Sequence, residues 1–181
     1  MNILLTGRPG IGKTTVMEKL ALKLDSPSGF VTREIRERGR RMGFSISTFD
    51  GAEAVLARRG GAPGPRVGPY AVCLDGLEEI GVCSIDVGIS RQGVILIDEI
   101  GKMESKSAAF RKSVEKALDS GSDVVATVGV SNDSFLKQVR SRPDLCIMEV
   151  TLANRNELPG LVLEMLESGR KRGNRIGNES E

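Results

Sequence analysis

The sequence predicts an α/β fold of three layers: a central, mainly parallel sheet between helices, with an antiparallel hairpin inserted into it. Three observations carry that prediction. The second half alternates short apolar runs with segments of helical periodicity, the pattern of strand–helix–strand units with right-handed crossovers. Val94-Ile95-Leu96-Ile97 is apolar without a break, as expected of a parallel strand covered on both faces. Met42, Phe44, Ile46 and Thr48 alternate with Gly43, Ser45 and Ser47, so this stretch reads as one arm of a hairpin with a single buried face.

Taken in order, residues 2–6 (NILLT) read as a short buried strand. Residues 14–24 place Val16, Met17, Leu20, Ala21 and Leu24 at helical spacing, and Ser26-Pro27-Ser28-Gly29 stops that helix. Residues 30–37 and 42–49 flank Arg38-Gly39-Arg40-Arg41 as the two arms of the hairpin. The stretch 51–69 is rich in Gly and Pro and reads as a surface loop. Residues 70–74 suggest a strand, and 75–90 a helix with Leu77, Ile80 and Ile85 inward. After the central strand, 105–119 is helical with Phe110, Val114, Ala117 and Leu118 on one side. Strand 123–128, a short helix at 132–140 and strand 145–150 follow. The last helix is expected at 156–167, with Leu158, Leu161, Val162 and Met165 facing in and Pro159 in its first turn, where a missing N–H does no harm. Residues 1–167 are expected to form one domain, and 168–181 a flexible basic tail.

Composition narrows the function. The chain has 181 residues, is 39% hydrophobic and 28% charged, and carries a net charge of +2, so it is neither disordered nor strongly basic. No apolar run is long enough to span a bilayer, and the N-terminus lacks the basic segment and cleavage site of a signal peptide, so a soluble, cytoplasmic protein is expected. Cys73, Cys83 and Cys146 have no metal-ligand spacing. Histidine is absent, so any acid–base chemistry falls to carboxylates, lysines or bound water.

Gly7-Arg8-Pro9-Gly10-Ile11-Gly12-Lys13-Thr14 fits the phosphate-binding loop GxxxxGK[ST], between a strand and a helix as that motif requires. Its glycines let successive N–H groups turn inward onto phosphate oxygens, above the positive end of a helix. Lys13 is placed to reach the β- and γ-phosphates of a nucleoside triphosphate, and the Thr14 hydroxyl to ligate magnesium. The central strand ends in Asp98 and Glu99. Asp98 is the expected second magnesium group, and Glu99 the carboxylate that orients and deprotonates an attacking water, so Lys13 and Glu99 are the catalytic candidates. An additional cation could come from Arg8, Arg33, Arg66, Lys102 or Arg155. The arginines of 33–41 could touch nucleic acid, but Glu34 and Glu37 interleave with them and aromatics are few, so that partner is not favoured. Thr127 stands where a strand hydroxyl could sense the γ-phosphate, and reads equally as a buried strand threonine. A guanine-reading NKxD is absent, and oligomeric state is left open.

These residues resemble the thermophile-type nucleoside-triphosphatases, called cancer-related nucleoside-triphosphatases in animals. The resemblance rests on GRPGIGKTT (7–15), RRMGF (40–44), RVGPY (66–70), VILIDEIGKME (94–104), VVAT (124–127) and ANRNELP (153–159), in order along the chain. Lys106, Gly129 and Ala153 depart from the family pattern. The resemblance implies a RecA-like P-loop domain and slow, magnesium-dependent hydrolysis of ATP, GTP, CTP and other triphosphates, with weak activity on diphosphates. It also implies two nucleotide-contacting segments. The first is Gly7, Arg8, Pro9, Gly10, Ile11, Gly12, Lys13, Thr14 and Thr15; the second is Val94, Ile95, Leu96, Ile97, Asp98, Glu99, Ile100 and Gly101. Two other readings stay open: a small P-loop kinase, and a nucleotide-dependent regulatory or RNA-binding protein.

Overall fold

The computed structural model describes residues 1–60, 63–129 and 131–178, with side chains in the last helix described up to Lys171. Nine strands form one sheet: β1 Asn2–Thr6, β2 Ser28–Glu37, β3 Arg40–Thr48, β4 Glu53–Arg59, β5 Arg66–Val67, β6 Tyr70–Val72, β7 Val94–Ile100, β8 Asp123–Val128 and β9 Leu145–Glu149, in the order β5-β6-β4-β3-β2-β7-β8-β1-β9. From β2 to β9 every pairing is parallel, and from β2 outward to β5 every pairing is antiparallel. The molecule therefore has a parallel half and an antiparallel wing. The long strand β2 belongs to both.

Successive side chains of a strand point to opposite faces, and the parallel half uses both of them. Ile3 and Leu5 of β1, Leu96 of β7 and Val125 of β8 pack on one face, against Val16, Met17 and Leu20 of α1 (Lys13–Ala21) and Leu158, Val162 and Leu166 of α6 (Leu158–Asn178). Leu4, Ile95, Ile97 and Ala126 pack on the other. That face is covered by the helical segment α2 (Leu74–Gly76), a π-helical stretch Leu77–Val82 and α3 (Cys83–Arg91), together with α4 (Ala108–Asp119) and α5 (Ser134–Arg140). Each buried Leu, Ile or Phe contributes roughly 1.5–3 kcal/mol, whereas an exposed ion pair contributes about 0–1 kcal/mol. This aliphatic core, not the charged wing, holds the sheet.

Several expectations change. The stretch 51–69 is not a loop throughout, because β4 and the two-residue β5 extend the expected hairpin into a wing. Leu56 and Ala57 are fully covered there, and Gly43 of β3 lies so close that a Cβ on it would stand 2.2 Å from the Ala57 carbonyl oxygen. Thr48 and Met42 are only half-buried, since β3 slips register between Phe44 and Ser45 and its alternation does not run through. In α6, Leu161 faces out, and Leu166 takes the inward place instead. The helix also continues to Asn178, past the expected end at residue 167. Pro159 stands in its first turn as expected.

Strand order places the chemistry. The loop after β1 and the acids at the end of β7 are separated by β8, so the carboxyl ends of three parallel strands open together, where ligands of such sheets bind.

Candidate active site

The phosphate loop is shaped by glycine. Gly7, Gly10 and Gly12 have φ of 144°, 75° and 108°, values that L side chains rarely adopt. Gly7 also passes close to the next strand end, where a Cβ would meet the Val150 carbonyl oxygen at 2.8 Å. Gly12 caps α1 with its backbone alone, and Val16 donates its N–H to the Gly12 carbonyl at 3.0 Å. The first N–H groups of α1 thus stay directed into the loop. The Lys13 ammonium crosses the mouth, donating to the carbonyls of Gly7 at 3.0 Å and Arg8 at 3.3 Å. Arg8, Pro9, Gly10 and Thr15 are exposed, while Ile11 packs against the core beneath.

Asp98 is buried at the end of β7 and held by a hydroxyl and an amide. Thr127 of β8 donates to Asp98 Oδ1 at 3.3 Å and the Thr32 N–H lies 3.4 Å from Oδ2, with the Thr14 hydroxyl close enough to favour the charged carboxylate. Burial pushes the Asp98 carboxyl above its usual range, opposed by those three donors and by the Lys13 charge. Thr127 is fully buried, so it positions Asp98 and does not line the open site. A carboxylate and a neighbouring threonine hydroxyl form a hard oxygen donor pair suited to a magnesium ion that takes its other ligands from phosphate and water. The described residues contain no cluster of three His, Cys, Asp or Glu side chains able to hold a metal by itself.

Glu99 lines a cavity of about 360 Å³, together with Pro9, Thr32, Gly101, Glu104 and Gly129. Burial raises its pKa, and Asp98 adds to this while Lys13 opposes it. Two glycines make room for the carboxylate: a Cβ on Gly129 would stand 2.4 Å from Glu99 Oε1, and one on Gly101 3.3 Å from the same atom. Gly129→Ala should therefore displace the end of a flexible side chain and little else. The expected result is kcat lowered about 10- to 100-fold, given that a misplacement of 1 Å costs about a hundredfold, with the melting temperature almost unchanged. Unaltered kcat would show that the present pose of Glu99 does not matter to the chemistry.

The structure brings Gly7 to Thr14 together with Asp98, Glu99 and Gly101. Val94, Ile95, Leu96, Ile97 and Ile100, expected within the nucleotide-contacting segment, are buried in the two apolar clusters beneath the site. Among the basic candidates, Arg155 lies against the loop, its Nη1 donating to the Ile11 carbonyl at 3.2 Å. Lys102 is at the rim of the Glu99 cavity. Arg33 pairs with Glu18 at 2.7 Å, and Arg66 donates to the Gly60 carbonyl at 2.9 Å on the wing. Arg36 and Arg41 both pair with Glu34, and Arg58 with Glu37.

One residue escaped sequence reasoning. Glu104, in the single 3-10 turn Glu104–Lys106, is only 5% exposed. Burial, then the nearby Glu99 and Asp98 charges, push its carboxyl up from 4.5 to about 8 against the pull of its own and the Gly101 N–H groups. Its signal in the sequence was slight, an acid between Met103 and Ser105 just before a helix, where solvated acids are common. The folded state keeps a proton that the unfolded chain releases, so stability from this group is present below pH 4.5 and is lost as the pH rises to about 8. Glu104→Gln, which has no proton to lose, should gain in melting temperature over the wild type progressively between about pH 5 and pH 8. A difference independent of pH would contradict this.

The chain is similar to known proteins over most of its length. A family model described as NTPase matches residues 2–163. The chain is 49% identical over 171 residues to nucleoside-triphosphatase THEP1 of a Thermotoga species, covering 94% of this chain and 98% of that one. The chain belongs to the NTPase family. Within that family it is also 36% identical over 190 residues to the human cancer-related nucleoside-triphosphatase, covering 94% of this chain and 98% of the relative. The crystal structure of THEP1 from Aquifex aeolicus superposes with a TM-score of 0.84 at 34% identity, covering 92% of this chain and 99% of that one. The solution structure of the human protein superposes at 0.77, with 33% identity, 92% of this chain and 97% of that one. The NTPase fold expected from the sequence, P-loop strand and parallel core included, is the fold observed. No helix among the described residues is long and apolar enough to cross a membrane.

Proposed function

We propose that this chain hydrolyses nucleoside triphosphates to diphosphates and phosphate at the crevice above β1, β8 and β7. The observation that supports this most is the placement of two acids at the end of β7: Asp98 lies beside the phosphate loop, where Thr14 and the Lys13 charge act on it, and Glu99 lines the adjacent cavity. The N–H groups of Gly7 to Thr14 cradle the phosphates, and the Lys13 ammonium binds the β- and γ-phosphates. Glu99 orients a water in line with the γ-phosphorus and takes its proton as the P–O bond to the diphosphate breaks. Magnesium, held by Thr14 and Asp98, would supply charge neutralisation at the phosphate oxygens. Arg155, against the loop, is the candidate for a further nucleotide contact.

The test is phosphate release from ATP, GTP, CTP and UTP, with and without magnesium, and from ADP. Release from all four triphosphates that stops without the metal supports the proposal; slower release from ADP would extend it to diphosphates. Tight nucleotide binding without release from any of them would refute it.

One observation favours phosphoryl transfer as a second reading. The Glu99 cavity, at about 360 Å³, is larger than the single water that hydrolysis needs. An organic acceptor hydroxyl could then occupy the place of water. Full-rate phosphate release with no acceptor present would remove this reading.

A further inference from the structure

Glu104 is a buried acid that neither the phosphate cradle nor the metal pair uses. No basic group contributes to holding it, and its charged neighbours of consequence are themselves acids. The turn after β7 folds its carboxyl back over Gly101, where Glu99 also arrives. A Cβ on Gly101 would stand 2.7 Å from Glu104 Oε2 and 3.3 Å from Glu99 Oε1, so the two carboxyls share the space above one glycine. Both line the same cavity, which is otherwise walled by apolar residues such as Phe44, Leu56 and Val67 together with Thr32, Lys102 and Ser131. With its carboxyl pushed up to about 8, Glu104 is a neutral acid at pH 7 and has an O–H to donate. A buried O–H takes an acceptor where one exists, and Glu99 is the carboxylate that lines the same cavity and meets Glu104 above Gly101.

We propose that Glu104 is a positioning residue for Glu99: its carboxyl donates to one Glu99 oxygen across Gly101, directly or through one water, and so leaves the other oxygen aimed at the attacking water. The proposal rests on the reading of Glu99 as the base. A carboxylate at the end of a glutamate side chain has several rotamers, and the two glycines that make room for it also leave it free to swing. A fixed hydrogen bond removes that freedom, much as the aspartate of a catalytic triad orients its histidine. The charged groups around Glu104 are Glu99 and Asp98 from β7, Lys102 from its own turn, Arg111 of α4, which donates to the Ser105 carbonyl, and Asp133 before α5, which accepts from Ser105.

The experiment compares steady-state hydrolysis of magnesium-ATP by the wild type, Glu104→Met, Glu104→Gln, Glu99→Gln and the Glu99→Gln/Glu104→Met double variant, between pH 6 and pH 10. Binding of a non-hydrolysable ATP analogue is measured alongside. Glu104→Met, which fills the space without a donor, should lower kcat about 10- to 100-fold with analogue binding unchanged. Glu104→Gln retains a donor, should keep kcat within about threefold at pH 7, and should hold its rate above pH 8, where the wild type declines as Glu104 ionises. In the Glu99→Gln background, Glu104→Met should cause no further loss. Wild-type kcat in Glu104→Met, an equal loss in both backgrounds, or a loss confined to KM and analogue binding would each overturn the proposal. If Glu104→Met does not fold, the pH profile of Glu104→Gln decides, and a profile that declines like the wild type overturns it. Hydrolysis by Glu99→Gln at the wild-type rate would instead remove the base reading itself, whatever Glu104 does.

Discussion

Glu99→Gln is expected to lower kcat for magnesium-ATP about a thousandfold while leaving the affinity for nucleotide within about twofold of wild type. Glutamine keeps the length and planar shape of glutamate, so it fills the same space beside Gly101 and Gly129 and disturbs no packing. What it lacks is the ability to take a proton from water, and a well-placed general base contributes about 10²- to 10⁴-fold. Glu99 takes no part in the phosphate loop, whose donors are backbone N–H groups and Lys13, so ground-state binding does not depend on it. The predicted loss falls on kcat and kcat/KM together, the mark of an interaction used only in the transition state. Single-turnover hydrolysis beside a direct binding titration separates the two quantities. Equal turnover by the variant would exclude Glu99 from proton transfer, and lost binding would mean that it contacts the substrate itself.

The parts of this site that could be read from the sequence are those that lie contiguously in it. The phosphate loop is a run of eight residues, each with a separate physical task, and the acids follow directly on a strand that is apolar without a break. Strands β7 and β8 were legible because parallel strands buried on both faces need no alternation to be recognised. The wing was harder to read. Its strand β4 is held by pairing with β3 and by the burial of Leu56 and Ala57, neither of which leaves a local mark beside so many glycines and prolines. Leu161 satisfied the spacing expected of the core face of α6, yet the contacts with the sheet select Leu166. Thr127 is a buried strand threonine bonded to Asp98, a partner that was not legible because only the strand order places β8 between the loop strand and the acid strand. Glu104 was missed for a related reason. Its burial comes from a turn that folds back over Gly101, and no periodicity records such a turn.

Lys13→Ala should be still more disabling, because it removes both a ligand for the phosphates and a counter-charge for the acids. The expected result is a fall in kcat/KM of about a thousandfold or more, together with weakened binding of magnesium-ATP. Removal of a single preorganised donor to a developing negative charge costs about 10²- to 10³-fold, and an ammonium brings a full charge as well as a hydrogen bond. The second effect is specific to this arrangement. Lys13 is the one cation that opposes the raised pKa of both Asp98 and Glu99, which burial already drives upward. Without it, both carboxyls should be protonated to a higher pH, which disfavours a metal at Asp98 and proton acceptance by Glu99 alike. The Ala variant should therefore require more magnesium for half-maximal binding of nucleotide than the wild type, beyond what the lost phosphate contact explains. Lys13→Arg supplies the comparison: it restores a charge near the acids but presents a planar fork, not a compact ammonium, to the phosphates. Its magnesium requirement should return towards that of the wild type while its kcat stays low. If instead the Ala and Arg variants share one magnesium requirement, Lys13 acts on the phosphates only and its charge does not govern the acids.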